Sequence, residues 1–425
     1  MRINSGKLQI KNRTLEEWLI LIIMILPFTV ALFSMISPGL GSVRYIVDLL
    51  LVVFIFLIST KKTLMIQNQM IPILILVGTF LLYTLSVYLF NFQSPFYFLW
   101  GVRNNFRFYV AFFVIALYAT EELIEDIFKV FDVIFYINFF LCCFQFFVLG
   151  YQQDYLGGVF GVTKGVNGNA IVFMFVVLSR SVLSFMNGNE KAHSCFIKCT
   201  LALIVAAMAE LKFFFVVFII LLLLATILTS FSWRKFVMLA LGAFLIMVAS
   251  TILIAIFGFD DFLSLDSIWD LATRENYASE NDLNRFAAIP KISEMFLKTL
   301  PDQLFGMGLG NCDTSSFAIC NTPFYQTYEY LHYSIFSCAF LFIETGYVGL
   351  FMFTLFFLFT LYISLQRFLS RTGNRLYCQM GIIMSLFCFV LLFYNSSLRT
   401  DIGYLVYFVL ALPLVIVKTN KKQTD

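Results

Sequence analysis

Apolar runs, most of them near 20 residues long and parted by short polar breaks, leave this chain few folds to choose from. Runs of that length are enough to cross a bilayer as helices. The chain is 61% hydrophobic and only 12% charged over 425 residues, with 54 Phe, which is more apolar area than a soluble domain can hide. The expected fold is all-α: a polytopic integral membrane protein with about twelve transmembrane helices. They are placed near 16–36, 43–60, 70–90, 104–119, 126–149, 168–186, 196–209, 211–229, 236–257, 334–363, 378–395 and 401–417. Residues 1–257 would form an N-terminal bundle, 258–333 a polar loop carrying an amphipathic helix, and 334–425 the last helices and a short tail. The first run follows Arg2, Lys7, Lys11 and Arg13, as in a signal peptide. Its length and the absence of a small-residue cleavage site make it a retained helix.

Basic residues give the orientation. If the N-terminus is cytoplasmic, 17 of the 28 Lys and Arg face inward and 10 outward, with Arg180 within a span near its inner end, where it can snorkel. Four of the outward ten (Arg274, Arg285, Lys291 and Lys298) lie in the long loop, where the positive-inside bias does not apply. The short turns therefore place both termini inside and the long loop outside. That side holds no ATP and no nucleotide sugars. Chemistry there needs a substrate activated beforehand, and lipid-linked pyrophosphates are the common kind.

Against that bias, several cations stand out on the outer side. Arg103 and Arg107 are spaced i, i+4 at the start of the fourth span, so they share one helix face. Lys212 opens the eighth span beside Glu210, Arg399 opens the last beside Asp401, and Arg285 opens an amphipathic stretch from Asn284 to Leu300. Phe286, Ile289, Ile292, Met295 and Phe296 make its apolar side. Each cation taken alone reads as snorkelling to headgroups or pairing locally, Arg399 with Asp401 and Lys212 with Glu210. Taken together they are what a pyrophosphate requires, because guanidiniums bind its oxygens in a bidentate way. Ionisable groups at a membrane edge are expensive and usually functional.

His332 stands at the outer end of the tenth span, among Tyr325, Tyr328, Glu329, Tyr330 and Tyr333. It is placed to take a proton from a sugar hydroxyl near neutral pH, with Glu329 and Glu344 as the fallback bases. Glu344 lies deeper in the span, where packing or helix orientation is its simpler role. Asp260, Asp261, Asp266 and Asp270 read as a solvated face, and no Cys/His spacing resembles a zinc site. Cys312 and Cys320 lie where a disulfide is permitted. The glycines of Gly306-Met307-Gly308-Leu309-Gly310 match no phosphate loop, since no Lys-Ser/Thr follows and no strand precedes, and read as a tight turn packed on the membrane surface. Gly157-Gly158-Val159-Phe160-Gly161 reads as a compact outer turn beside the cleft.

Asn284-Arg285-Phe286, the glycine segment from Leu304 to Asn311, and Glu344-Thr345-Gly346-Tyr347-Val348-Gly349-Leu350 occur in an order that resembles bacterial O-antigen polymerases and ligases. The resemblance implies a mainly helical, lipid-linked glycosyltransferase (GT-C-like) architecture with one large extracytoplasmic loop. It also implies metal-independent, cofactor-free transfer of an oligosaccharide from undecaprenyl pyrophosphate to an acceptor hydroxyl. Arg285 matches the family's loop arginine. Lys212 matches the basic residue that opens a helix there, with Ala209-Glu210-Leu211-Lys212 in place of the usual Ser-Arg pair. His332 precedes Glu344 by more residues than the family histidine does, which favours polymerase over ligase.

The expected function is therefore polymerisation of lipid-linked repeat units into O-antigen, capsular or related polysaccharide at the outer face of the bacterial inner membrane. Arg103, Arg107, Lys212, Arg285 and Arg399 would hold the pyrophosphate. The lipid bilayer, a chain-length regulator and a flippase are candidate partners, and nucleic acid is not. The alternatives are a ligase that moves finished glycan onto the lipid A core and a twelve-span transporter or flippase. The transporter reading predicts internal repeats and interrupted helices meeting at mid-membrane.

Overall fold

The computed structural model describes residues 13–60, 67–257, 282–315 and 317–415, so the acidic group at 260–270 lies outside the described residues. Among the described residues there are helices and turns and no strand. Helices α1 (Leu15–Ile36), α2 (Arg44–Thr60), α3 (Ile71–Asn91), α4 (Pro95–Tyr118) and α5 (Glu121–Phe147) come first. They are followed by α6 (Asn167–Asn187), α7 (Ala192–Met208), α8 (Lys212–Leu228) and α9 (Trp233–Phe257). Three short helices, α10 (Ala288–Met295), α11 (Leu300–Phe305) and α12 (Pro323–Tyr328), occupy the polar region. The chain then closes with α13 (Ser337–Leu369), α14 (Arg375–Tyr394) and α15 (Gly403–Ala411).

Helices thus stand at each expected position. Among the described residues six of them, α2, α3, α5, α6, α13 and α14, are long and apolar enough to cross a membrane. Helices α7 and α8, and α15 with the 3-10 turn that continues it to Leu414, are apolar but shorter. The chain is a helical membrane protein.

Local chemistry explains the boundaries. Thr14 caps α1 in a capping box with Glu17, Thr120 caps α5 through the Leu123 N–H, and Asn374 caps α14 through Leu376 and Tyr377. Pro95 at the first position of α4 starts that helix nine residues before the expected 104. Arg103 and Arg107 therefore lie inside the helix rather than at its start. α15 stops at Ala411 because Pro413 ends the regular ladder, leaving only the short 3-10 turn. Between α7 and α8, Glu210 takes a left-handed conformation (φ 53°), which keeps the two helices separate.

Side-chain contacts fix which helix ends lie together. At one end, Arg103 in the first half of α4 meets Asp48 near the start of α2. Phe213 at the start of α8 stacks on Tyr394 at the close of α14 (4.0 Å), and Ser397 reaches Gly168 at the start of α6 (3.5 Å). At the other end, Arg13 before α1 pairs with Asp126 of α5 (2.5 Å), and Asn374 before α14 bonds Glu121 of α5 (2.9 Å). There too, Arg367 of α13 reaches Gln67 before α3 and the Pro413 carbonyl (2.5 Å). Successive long helices therefore run up and down. The centre is α6, 89% buried, whereas α2 and α3 bury only 22% and 28% and face outward. Phe173 of α6 packs edge to face on Phe28, Phe131 and Phe160, and between α4, α13 and α15 Tyr109 packs edge to face on Phe356 and Tyr407, which stack on each other.

Candidate functional site

The polar chemistry at the Arg103 end begins with a broken helix. Within α13, Gly346 has φ 62° and ψ −168°, so the helix stops after Thr345 and restarts at Tyr347. The segment from Tyr347 to Leu369 alone rises about 35 Å, more than the ~30 Å of a bilayer core. That segment is thus long enough to cross a bilayer without the residues before the break. A break frees backbone carbonyls, which lipid cannot satisfy. Here the Ile343 carbonyl accepts from Met307 N–H (2.9 Å), Glu344 from Gly308 N–H (2.9 Å) and Thr345 from the Tyr83 hydroxyl (2.7 Å).

The glycine segment is thus packed against the broken α13 and against α4. Its last glycine, Gly310 (φ 86°), lies against α4, where a Cβ on Gly101 would stand 2.6 Å from the Gly310 nitrogen. The Glu344 carboxylate, fully buried, accepts the Cys312 N–H on Oε1 (3.2 Å) and is also bonded by the Gly310 backbone. Tyr333 donates to the Cys312 carbonyl (2.6 Å). Glu344 accordingly orients the loop and has no opening to an incoming hydroxyl.

That loop delivers Asp313, which is 7% exposed, into an ionic knot. Asp313 accepts from Asn104 of α4 (2.6 Å) and lies 3.7 Å from the Arg399 guanidinium. Arg103 forks onto Asp48 of α2 through Nε (3.0 Å) and one terminal nitrogen (2.5 Å). Arg107 bridges Asp401 (3.0 Å) and Asp48 (3.8 Å). The expected local pair between Arg399 and Asp401 gives way to this exchange: Asp401 takes Arg107, and Arg399 turns to Asp313. Burial pushes the Arg399 guanidinium below its ordinary pKa, and the Asp313 and Glu344 carboxylates oppose that shift.

Aromatic rings align the remaining cations. Arg399 lies over Phe340, one turn before Glu344 on α13, and Arg285 over Phe336 (5.6 Å), the residue just before that helix. Arg285 also lies over Tyr394 (5.1 Å), whose ring stacks on Phe213, the neighbour of Lys212. Lys212 keeps its local ion pair with Glu210 at 3.5 Å. The five cations thus fall along one path from Arg103 to Lys212.

Other expected residues fall outside the knot. His332 is exposed in a left-handed turn (φ 53°), and among the described residues no hydrogen bond or ion pair joins its imidazole to the cluster. Glu329 is exposed and accepts the Tyr325 hydroxyl (2.9 Å). Cys312 and Cys320 are free thiols; burial and the nearby Glu344 and Asp313 carboxylates push the Cys312 thiol well up. The amphipathic stretch is helical only from Ala288 to Met295, and it buries Ala288 and Ile292 while Phe286 stays exposed. The turn at Gly158 is compact because buried Gln145 of α5 grips both its N–H (2.7 Å) and its carbonyl (2.9 Å). Among the described residues no three His, Cys, Asp or Glu side chains are grouped to hold a metal ion.

The carboxylates Asp48 and Asp313 went unread in the sequence. Asp48 could have been found, since an acid inside an apolar run needs a partner. Arg107 is the hinge of the knot. Replacing it with Met takes the guanidinium from Asp401, while Asp48 keeps Arg103. That should cost about 2–4 kcal/mol, at or below the ~3–5 of a fully buried pair. The discount reflects Asp401, whose side chain is 33% exposed. Thermal unfolding of the purified protein in detergent reads this as a lower Tm, and adding Asp401→Asn should recover part of it. An unchanged Tm for Arg107→Met would remove the pair from the stability account.

No protein-family model matches the chain, and no curated protein matches it.

Proposed function

We propose that the chain is a glycosyltransferase of the lipid-linked class that polymerises undecaprenyl-pyrophosphate-linked repeat units into a bacterial surface polysaccharide. In this reading the bundle crosses the inner membrane about twelve times in a GT-C-like arrangement. Both termini are cytoplasmic and the Arg103 end opens outward. The observation that carries it is the row of cations at one bundle end, on the side the short turns reserve against positive charge. Support also comes from the ordered resemblance between residues 284 and 350.

Charge decides how the row is used. Arg103, Arg107 and Arg399 already face Asp48, Asp401, Asp313 and Glu344. That knot has no surplus positive charge, so it acts as a scaffold that holds one side of the cleft. Arg285, which lies over Tyr394, and Lys212, which pairs with Glu210, stand at the other end of the row. They match the basic positions of the resemblance, and in this reading they are the groups that meet the diphosphate. In the reaction, the anomeric C–O bond to the pyrophosphate breaks as a terminal hydroxyl of an incoming repeat unit attacks from the opposite face, inverting the centre. The negative charge that develops on departing undecaprenyl pyrophosphate is balanced by Arg285 and Lys212. His332, exposed on the rim, takes the hydroxyl proton from an acceptor that arrives from the aqueous side.

Deleting the gene and resolving the host's surface polysaccharide on a gel tests the assignment. A polymerase predicts single-repeat product and no ladder. A null that attaches no glycan to its lipid anchor would make the chain a ligase, and an unchanged ladder would overturn the glycosyltransferase reading altogether.

A further inference from the structure

One group of aromatic rings beside the knot has no part in the chemistry above. On α2, Tyr45 lies one turn before Asp48; on α4, Trp100 lies one turn before Arg103. The two rings come within 6.3 Å of each other, and Phe317 from the loop closes the group at 5.3 Å from Tyr45 and 5.9 Å from Trp100. The Arg103 guanidinium forms the floor, 5.1 Å from Tyr45 and 4.8 Å from Trp100. Phe317 is 49% exposed, and Tyr45 and Trp100 are half-buried, so part of each side chain stays accessible. The Trp100 indole N–H is committed to the Thr314 carbonyl (3.1 Å), which ties the loop that carries Phe317 to α4.

Rings that anchor a protein in the membrane interface point outward from the helix surface. These three instead turn toward one another around a cation, one turn nearer the helix starts than the ion pairs. Aromatic faces with a charged group at their base suit a ring that has an apolar C–H face and hydroxyls at its edge. We propose that Tyr45, Trp100 and Phe317 form a pyranose-stacking subsite, which receives a sugar of the lipid-linked chain while Arg103 meets its hydroxyls. This rests on the glycosyltransferase reading and adds where the glycan is held.

The test uses full-length protein in phosphatidylglycerol/phosphatidylethanolamine nanodiscs and two separate probes. One is the lipid-free, phosphate-free repeat unit released by mild acid from the host's own polysaccharide, followed by saturation-transfer NMR titration. The other is inorganic pyrophosphate. Phe317→Leu keeps apolar bulk but removes the ring face, and should weaken repeat-unit binding about tenfold. Phe317→Tyr restores the face and should bind as the natural protein does. Pyrophosphate affinity should be the same in all three. Equal repeat-unit binding by Phe317→Leu and the natural protein would overturn the subsite and leave the rings as interface anchors. Pyrophosphate binding without any repeat-unit binding would overturn the subsite alone. Ring-dependent glycan binding together with an unchanged ladder in the deletion strain would keep the subsite and sink the polymerase reading.

Discussion

Gly346→Ala should yield little folded protein. The position combines φ 62° with ψ −168°, a region open essentially to glycine, and an added Cβ would run into the Leu304 carbonyl. Backbone strain of about 1–3 kcal/mol and a similar overpacking term put the total near 2–6 kcal/mol, a large share of any domain's stability. The damage would also spread. The Met307 and Gly308 amides that satisfy the broken helix belong to the same segment as Gly310 and Cys312, which hold Glu344. Gly78→Ala is the control. Gly78 lies within α3 with nothing within 4 Å of its would-be Cβ, so alanine should be neutral or slightly stabilising through helix propensity. Monodisperse yield and Tm in detergent report both, and a Gly346→Ala protein as stable as Gly78→Ala would mean the break is not glycine-dependent.

Much of the helix layout was legible because apolar periodicity acts locally. Thr14, Thr120 and Asn374 cap helices through backbone N–H groups within three residues, a local signal that the expected starts at 126 and 378 did not use. The i, i+4 spacing of Arg103 and Arg107 placed both on the face where Asp48 waits. The break at Gly346 was not legible, since it interrupts no apolar run. Its cause is backbone-to-backbone contact with residues some forty positions earlier, and such contacts leave no period in the sequence. The early start of α4 was missed for a related reason. The missed stretch is 95–103, where Pro95 opens the helix and Arg103 is held by Asp48, a partner on another helix. Which acid pairs with which base also depended on tertiary position. Arg399 and Asp401 are two residues apart and still choose other partners, because the turn between α14 and α15 points them to different neighbours.

Arg285→Ala gives the largest functional effect expected. The side chain lies over Phe336 and Tyr394, contacts worth about 0.5–2 kcal/mol, so the protein should still fold and reach the membrane. Losing one cation that balances a leaving diphosphate should instead slow transfer ~10²–10³-fold. Arg285→Lys should recover little of this, since an ammonium cannot reproduce a bidentate contact. The direct measurement is the polysaccharide ladder of a deletion strain carrying Arg285→Ala at natural membrane abundance. Single-repeat product with the long chains gone is the expected result. A full-length ladder from that strain would contradict the claim that these cations carry the departing diphosphate.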